Sequence, residues 1–383
     1  MKITGIICEY NPLHLGHKKQ LDHIKAVNGP DSGIVCLMSG NYVQRGHPAI
    51  IDKQTRAKAA VLCGADLVLE LPVTASLSSA EGFASGGVRI LAPFCHELCF
   101  GAETADRNML LSAAEALLSP AFSAALRKHL DRGLSFPAAR QEAVNDMGLD
   151  GSILSRPNNI LAVEYCKAIL CQNASMLPMP IRRDGHYHDT AADQKNPSAT
   201  AVRSLMTNGN QWFDFVPQEI RTCFEGAALH TLAAGERALL ARLRCMTEAD
   251  FSALPYGTEG LWRKFMHAVQ EETTVEAILT RVKSKRYTRT RLDRMLMCAF
   301  LGITQEMLDT PVPYVRVLAF NDRGREILKK ARSVGCLPNI GELQADPYQD
   351  LENRCSDLYG LFAVDALEPP GMESKRRVFY YRT

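Results

Sequence analysis

The sequence predicts an α/β protein. A parallel, doubly wound sheet is expected across residues 1–205, followed by a mostly helical, basic region across 206–310 and a small C-terminal α/β part across 311–383. In the first two hundred residues short apolar runs alternate with amphipathic helical patterns, the signature of βαβ units whose strands run parallel. Beyond Arg203 the rhythm changes and helical periodicity takes over.

Taken in order, Ile3 to Cys8, Gly33 to Met38, Leu67 to Leu71, Leu98 to Phe100 and Met179 to Arg182 read as strands. His17 to Ala26 and Lys53 to Cys63 carry the amphipathic spacing of helices between them. Helical pattern dominates from about Pro217 to Leu301, with turns at Asn208-Gly209-Asn210 and Pro255-Tyr256-Gly257. Pro311 to Pro313 marks a break before an extended run, Tyr314 to Phe320. In open parallel sheets ligands bind beyond the carboxyl ends of the strands, so the loop after Cys8 is the first place to look for chemistry.

A chain of 383 residues with 46% hydrophobic and 22% charged content can bury a full core. The apolar run at Ile3 is ended by Glu9, and no stretch approaches the ~20 apolar residues of a membrane span. A cytoplasmic protein with no membrane partner is therefore expected. The twelve cysteines are scattered, mostly within apolar segments and without a C-x-x-C pair, which fits buried thiols in a reducing compartment. Cys95-His96-Glu97-Leu98-Cys99 is the one cluster to weigh as a metal site, and without a second ligand pair it reads as a buried strand with its flanking turn. No protein-held metal is expected.

The chain contains neither a Gly-Lys dipeptide nor a Gly-x-Gly, so the P-loop and dinucleotide fingerprints both fail. The loop after the first strand, CEYNPLHLGH, offers instead His14 and His17 around Gly16 at the start of a helix. Imidazoles beside helix N-terminal amides make a cationic pocket for phosphate oxygens. The same residues equally fit a surface turn and a helix cap. Far downstream, NPSATAVR places Ser198 as an N-cap after Pro197, Thr200 in the first turn and Arg203 one turn on, so that hydroxyls, free amides and a guanidinium converge on one helix N-terminus. This pairing resembles the adenylyl- and nucleotidyltransferase superfamily of HxGH type, which implies a Rossmann-like sheet and ATP held between the two motifs.

The resemblance narrows with further blocks. GIICEYNPLHLGH, then MSGNYVQRGHPAIIDKQTRAKAAVLCGADLVLELP, FGAE, RPNNILAVEY, IRRDGHYHD, NPSATAVR, KSKRYTRTRLDRML and YVRVLAFNDRGREIL, in that order, are similar to the bacterial tRNA(Met) cytidine acetate ligase family over nearly the whole chain. Membership implies an enzyme that activates acetate with ATP and Mg²⁺ as acetyl-adenylate, then acetylates the wobble cytidine of elongator tRNA(Met) to N4-acetylcytidine. It further implies that ATP is surrounded by Ile7, Cys8, Glu9, Tyr10, Asn11, Pro12, Leu13, His14, Leu15, Gly16, His17, Gln20 and Gly101. Asn158 or Asn159, Arg182 or Arg183, and Ser198, Thr200 and Arg203 complete the set, with His14 and His17 catalytic. The family's small residues before Tyr187 are replaced here by Asp184 and His186, which leaves Arg182 and Arg183 as rival contacts.

Two regions remain for the other substrates. Asn41, Gln44, Arg45, Asp52 and Lys53 mass polar groups and glycines after the second strand, at the ligand-facing edge, and are assigned to acetate or cytidine, with Arg45 or Lys53 as the partner of the acetate anion. From Arg281 to Arg294 seven Lys/Arg stand against one Asp293, in a chain whose net charge is only +2. Lys283, Lys285, Arg286, Arg289, Arg291 and Arg294 are thus assigned to the tRNA backbone, a solvated helix face being the other explanation. An enzyme that adenylylates a small cofactor precursor is the alternative function, and a nonenzymatic RNA-binding protein a third. Neither uses both the intact nucleotide motifs and the long basic region.

Overall fold

The computed structural model describes residues 1–183, 197–311, 313–333, 347–365 and 367–382. Ile3–Cys8 forms strand β1 with all but its last residue buried. An apolar run shut away on both faces is what a central parallel strand needs. Helix α1 (Leu15–Asn28) leads to β2 (Gly33–Ser39), which pairs with β1 in parallel from Ile3↔Gly33 to Cys8↔Met38. A hairpin of two-residue strands, β3 (Tyr42–Val43) and β4 (His47–Pro48), follows, then α2 (Lys53–Leu62) and β5 (Leu67–Leu71), parallel to β2. After α3 (Val73–Ser76) and α4 (Ala80–Leu91) the chain crosses to the other side of β1, where β6 (Glu97–Ala102) pairs with it. Helices α5 (Arg107–Leu118), α6 (Pro120–Asp131), α7 (Phe136–Asn145) and α8 (Pro157–Cys171) precede β7 (Leu177–Arg182), and α9 (Ala199–Thr207) closes this half.

The strand order β7-β6-β1-β2-β5 reverses at β1, so the crevice between β1 and β6 is the topological switch point. Side chains alternate across the sheet with period two. Ile3, Ile7, Val35 and Leu37 pack on one face with Val88 of α4 and Val163 of α8. Ile6, Ile34, Cys36 and Met38 pack on the other with Leu21 of α1, Ala60 of α2 and Val202 of α9. Cys36, Cys63, Cys95, Cys99 and Cys166 belong to these cores, none of the described cysteines is in a disulfide, and no single described helix is long and apolar enough to cross a membrane. The Cys95–Cys99 segment packs as strand and turn, with His96 Nδ1 accepting from the backbone of Ile3 at 3.0 Å.

Helix α10 (Arg221–Glu225) packs Phe224 into the sheet-face core with α2, and the second region is built from α11 (Glu236–Arg244), α12 (Glu248–Ser252), α13 (Leu261–Glu271), α14 (Val275–Val282), α15 (Arg289–Leu301) and α16 (Gln305–Asp309) around a core of its own that includes Phe265, Leu279 and Leu296. The C-terminal segment, itself strands and helices, adds its strands to the main sheet. Its strand β8 (Arg316–Asn321) runs antiparallel along β5, and after α17 (Asp322–Ser333) and α18 (Pro347–Tyr359) strand β9 (Phe379–Tyr381) pairs with β8. The sheet therefore has seven strands drawn from both ends of the chain. The physical reason is that β5 would otherwise expose an apolar edge with unpaired backbone groups. Helix α18 also sends Leu351, Cys355 and Tyr359 into the core of the helical region.

Candidate active site

The loop leaving β1 turns back so that His14 caps α1. Its Nδ1 accepts from Gly16 N–H at 3.0 Å, and His17 Nδ1 accepts from His14 N–H at 3.3 Å, a reciprocal capping box made of two imidazoles. The rings stack with centroids 3.8 Å apart. Gly16 is required because a Cβ there would lie 2.9 Å from His14 Cε1. Capping settles the tautomer: with Nδ1 accepting, each neutral ring carries its proton on Nε2. His14 is 1% exposed and its Nε2 has no partner among the described residues. A buried N–H left without an acceptor is a group waiting for one.

The sequence reading of this pocket as cationic through its histidines needs correction. Burial, then the charges of Arg183 and Arg203, pushes the His14 imidazole down to about 3. Burial, then His14 and Arg183, holds His17 well below its ordinary value. Near pH 7 both rings are neutral donors, and the positive charge comes from the two arginines. The cap and the phosphate readings of HxGH are therefore compatible, since the first fixes the donor geometry the second needs.

The downstream motif comes to the same place. Ser198 caps α9, its Oγ accepting from Ala201 N–H at 3.1 Å. Arg203 reaches across, Nη1 donating to Asn11 O at 2.6 Å and Nη2 to Thr200 Oγ1 at 3.1 Å. Asn11 is held in turn by Ile50 N–H, which donates to its Oδ1 at 2.7 Å. The N-termini of α1 and α9 thus face one crevice, with the backbone from Ile7 to Leu15 as its floor. Ile7, Tyr10 and Leu13 are buried core residues of that floor, while Cys8 and Leu15 are half-buried, so the loop is braced from below. The Asn11–Pro12 peptide is cis. Gln20 Nε2 donates to Cys99 O at 3.5 Å and ties α1 to β6.

At the end of β6, Gly101 faces Arg183, whose Cδ is 3.5 Å from where a Cβ would be. The structure separates the two rival pairs. Asn159 is 2% exposed and fully engaged with Thr104, through its Oδ1 at 2.8 Å and its Nδ2 at 3.1 Å. Asn158 is half-buried and accepts from Arg183 Nη1 at 3.3 Å. Arg182 points to an open cleft of about 710 Å³ that is shared with Glu103, Thr104 and Asp106 to Asn108. Asp184, His186, Tyr187 and Asn196 lie outside the described residues.

The block after β2 divides. Gln44 N–H donates to Glu9 Oε1 at 2.9 Å, which places this loop against the HxGH loop, and Arg45 lies half-buried beside it. Asp52 caps α2, accepting from Gln54 and Thr55, and Asn41 Oδ1 accepts from Lys53 N–H at 3.0 Å. Lys53 is 1% exposed and its Nζ is enclosed by Glu70 at 2.7 and 2.9 Å and Glu373 at 2.8 Å. An ammonium so compensated has no charge left for acetate, so its assignment as the acetate partner gives way to a structural one. Sequence reasoning missed the bracing role of Arg56, also fully buried, which donates to the carbonyls of Ile51, Glu9, Ser39 and Gly40 and stitches the ends of β1 and β2 together.

The basic run is less lopsided in space than in sequence. Arg281 pairs with Glu271 and Glu272, Arg286 with Glu259 at 2.6 Å, and Arg289 with Glu276 at 2.7 Å and Asp293 at 2.8 Å. Arg291 donates to Tyr256 O at 2.7 Å, and Arg294 lies over the Tyr256 ring with Nη1 3.5 Å from Gln44 O. Lys283, Lys285 and Arg286 are the exposed members of the assigned set.

The geometry can be set beside known proteins. Residues 1–369 match the family described as HIGH Nucleotidyl Transferase. A tRNA(Met) cytidine acetate ligase of Clostridium perfringens (strain SM101 / Type A) is 34% identical over 384 residues, which cover 94% of this chain and 95% of that protein. One from Clostridium novyi (strain NT) is 38% identical over 357 residues, covering 88% and 89%. The fold is similar to that of the crystal structure of Thermotoga maritima TmcAL (apo, form I), with a TM-score of 0.93, 29% identity and full coverage (100%) of both chains. It is similar also to that protein bound with alpha-thio ATP (form II), with a TM-score of 0.89, 28% identity and 100% of both chains covered. With strand order, paired helix N-termini and full-length likeness in agreement, the chain belongs to the HIGH nucleotidyl transferases and, among them, to the tRNA(Met) cytidine acetate ligase family.

Proposed function

We propose that this chain is an ATP-dependent ligase that activates acetate as acetyl-adenylate and passes the acetyl group to N4 of the wobble cytidine of elongator tRNA(Met). The observation that carries the reading is the bridge from Arg203 to Asn11 and Thr200, which joins the HxGH and NPSATAVR motifs into one grip beside an unpartnered buried His14 Nε2–H. A relative solved with an ATP analogue supports the nucleotide, and relatives named as tRNA(Met) cytidine acetate ligases support the other substrates.

A cytidine amine is a poor nucleophile, its lone pair being delocalised into the ring, so the acetyl group must first become a mixed anhydride. An acetate oxygen attacks the α-phosphorus, the bond to the β-phosphate oxygen breaks, and pyrophosphate leaves with the electron pair. Charge builds on the α-phosphate oxygens, where the His14 and His17 Nε2–H groups donate, and on the departing pyrophosphate, which Arg203, Ser198, Thr200 and the α9 amides hold. Adenosine then lies along Gly101 toward the cleft by Asn158, Arg182 and Glu103. In the second step N4 attacks the acetyl carbonyl, the bond to AMP breaks, AMP takes the electron pair, and N4 loses a proton. Mg²⁺ accompanying ATP would neutralise charge on the phosphates alongside Arg203 and the α9 amides.

Acetate is placed by the loop around Gln44 and Arg45, and the tRNA backbone by Lys283, Lys285 and Arg286. The decisive experiment is incubation with ATP, labelled acetate and total tRNA. Label should enter RNA at a cytidine only when ATP is present. Adenylylation of a small precursor with no label in RNA would overturn the reading in favour of a cofactor-forming nucleotidyltransferase.

A further inference from the structure

Glu103 stands just past the end of β6, and both of its carboxylate oxygens are engaged at the N-terminus of α8. Oε1 accepts from the backbone N–H of Asn158 at 3.3 Å and from Asn158 Nδ2 at 2.8 Å, and Oε2 accepts from the backbone N–H of Asn159 at 2.7 Å. No other side chain performs this capping, because the N-cap residue Arg156 makes no side-chain bond to the helix and Pro157 has no N–H. A carboxylate at the positive end of a fifteen-residue helix is well placed.

The consequence lies in the amide of Asn158. By taking its Nδ2, Glu103 decides which way that amide points and leaves Oδ1 turned outward, where it accepts from Arg183 Nη1 at 3.3 Å. A reversed amide would present its NH₂ to a guanidinium that has only donors. Arg183 is fixed at its other end by its backbone N–H, 2.9 Å from Ala102 O, and its stem crosses the open face of Gly101. Its charge reaches both His14 and His17.

We propose that Glu103 is a positioning residue for the adenylation step: acting through Asn158, it orients the Arg183 guanidinium over Gly101 and toward the paired imidazoles. This rests on the ATP reading above. The carboxylate touches no reacting atom, and its effect is delivered by the next two side chains in the chain of hydrogen bonds. Asn159, one residue on, spends its side chain on Thr104 and takes no part.

A double-mutant cycle tests the claim on the full-length protein, with ATP affinity, the KM values for ATP and acetate, and thermal melts as readouts. Glu103→Gln keeps the volume but offers an NH₂ where an acceptor is needed, and should weaken ATP binding ~10-fold with kcat at saturating ATP and the acetate KM within about twofold. In an Asn158→Leu background the same change should add less than about twofold, because the route to Arg183 is already cut. A full ~10-fold effect in that background would show that Glu103 acts on the fold alone and overturn the proposal. Should Glu103→Gln fail to fold, Glu103→Asp, which keeps the charge and shortens the reach, takes its place in the same cycle: a loss of ATP affinity that persists undiminished in the Asn158→Leu background overturns the relay, and one that vanishes there supports it. Failure of the parent protein to bind ATP in the same titration would instead sink the nucleotide reading beneath it.

Discussion

His14 performs two tasks with two nitrogens, and one substitution separates them. In His14→Asn the new side chain is among the best N-caps, so the bond to Gly16 N–H is replaced and α1 keeps its start. Stability should change by less than about 1 kcal/mol, which for a chain of this size moves the melting midpoint by only a few degrees. The Nε2–H, buried and aimed at no protein acceptor, has no counterpart in the shorter amide. Loss of one preorganised donor to a developing phosphate charge typically costs ~10²–10³ in rate, or about 3–4 kcal/mol of transition-state stabilisation. His14→Ala should show the same rate loss together with about 1 kcal/mol of lost cap. The assay is acetate-dependent exchange of labelled pyrophosphate into ATP, run beside thermal melts. Exchange within about threefold of the parent in His14→Asn would refute the reasoning, because the ring would then be a cap and nothing more.

Acidification supplies a second expectation. The folded-state value of His14 is lowered from 6.5 to about 3, so below pH 6.5 the unfolded chain gains a proton that the folded one refuses. Stability should be complete above that pH and fall by ~2 kcal/mol from this ring by pH 5, and His14→Asn should flatten the slope; a slope unchanged in the variant contradicts the assignment. Lys53→Met removes the ammonium enclosed between Glu70 and Glu373 and leaves Arg316 to compensate both carboxylates. It should cost ~3–5 kcal/mol of stability with the acetate KM within about twofold, whereas an intact melt with a raised acetate KM would restore Lys53 to the substrate. Replacing Lys283, Lys285 and Arg286 together with Ala should reduce the salt dependence of tRNA binding by ~2–3 units of slope and leave pyrophosphate exchange untouched. An unchanged slope would send the search for the RNA face to Arg45. His17→Ala, which removes the second donor of the capping box, should lower exchange ~10²-fold, and near-normal exchange would return that ring to a structural role.

The five parallel strands were legible because each is an apolar run whose burial follows from its own composition. The edges were not. Tyr314 to Phe320 reads as extended, yet nothing in seven residues tells which strand they will join; the answer lies in the exposed flank of β5, some 250 residues earlier. Strands as short as β3, β4 and β9 carry too few residues for any period to register. Within the site, His14 and His17 could be read because both halves of the capping box fall in four consecutive residues, and Arg203 because its motif is compact. The bracing role of Arg56 escaped notice, although a signal was present: Lys53, Arg56, Ala57 and Ala60 share one face of α2 and all are buried. Two cations on an alanine stripe announce buried partners rather than a solvated surface. The basic run misled in the opposite direction, because a count along the chain cannot see Glu259, Glu271, Glu272 and Glu276 arriving from neighbouring helices and turns.

The helical region is part of the active-site wall rather than an appendage to a nucleotide-binding domain. Helix α15 presses on the β3–β4 hairpin so closely that a Cβ on Gly46, whose φ is +81°, would lie 2.4 Å from the backbone of Asp293. Arg294 of the same helix approaches Gln44 O at 3.5 Å, Gln44 N–H donates to Glu9 Oε1 at 2.9 Å, and the Glu9 carbonyl is gripped by Arg56 at 2.6 Å. Two contacts therefore lead from the basic helix to Glu9, the first residue of the HxGH loop, and a third ties that residue to α2. From below, the C-terminal Glu373 and Arg316 neutralise Lys53 and Glu70 beneath the same loop. On the function proposed above, the surface assigned to RNA and the crevice assigned to acetate activation have to keep a fixed separation if an adenylate formed in one is to meet a cytidine held by the other. Contacts through backbone carbonyls and buried ion pairs fix that separation without spending any of the exposed charges on it.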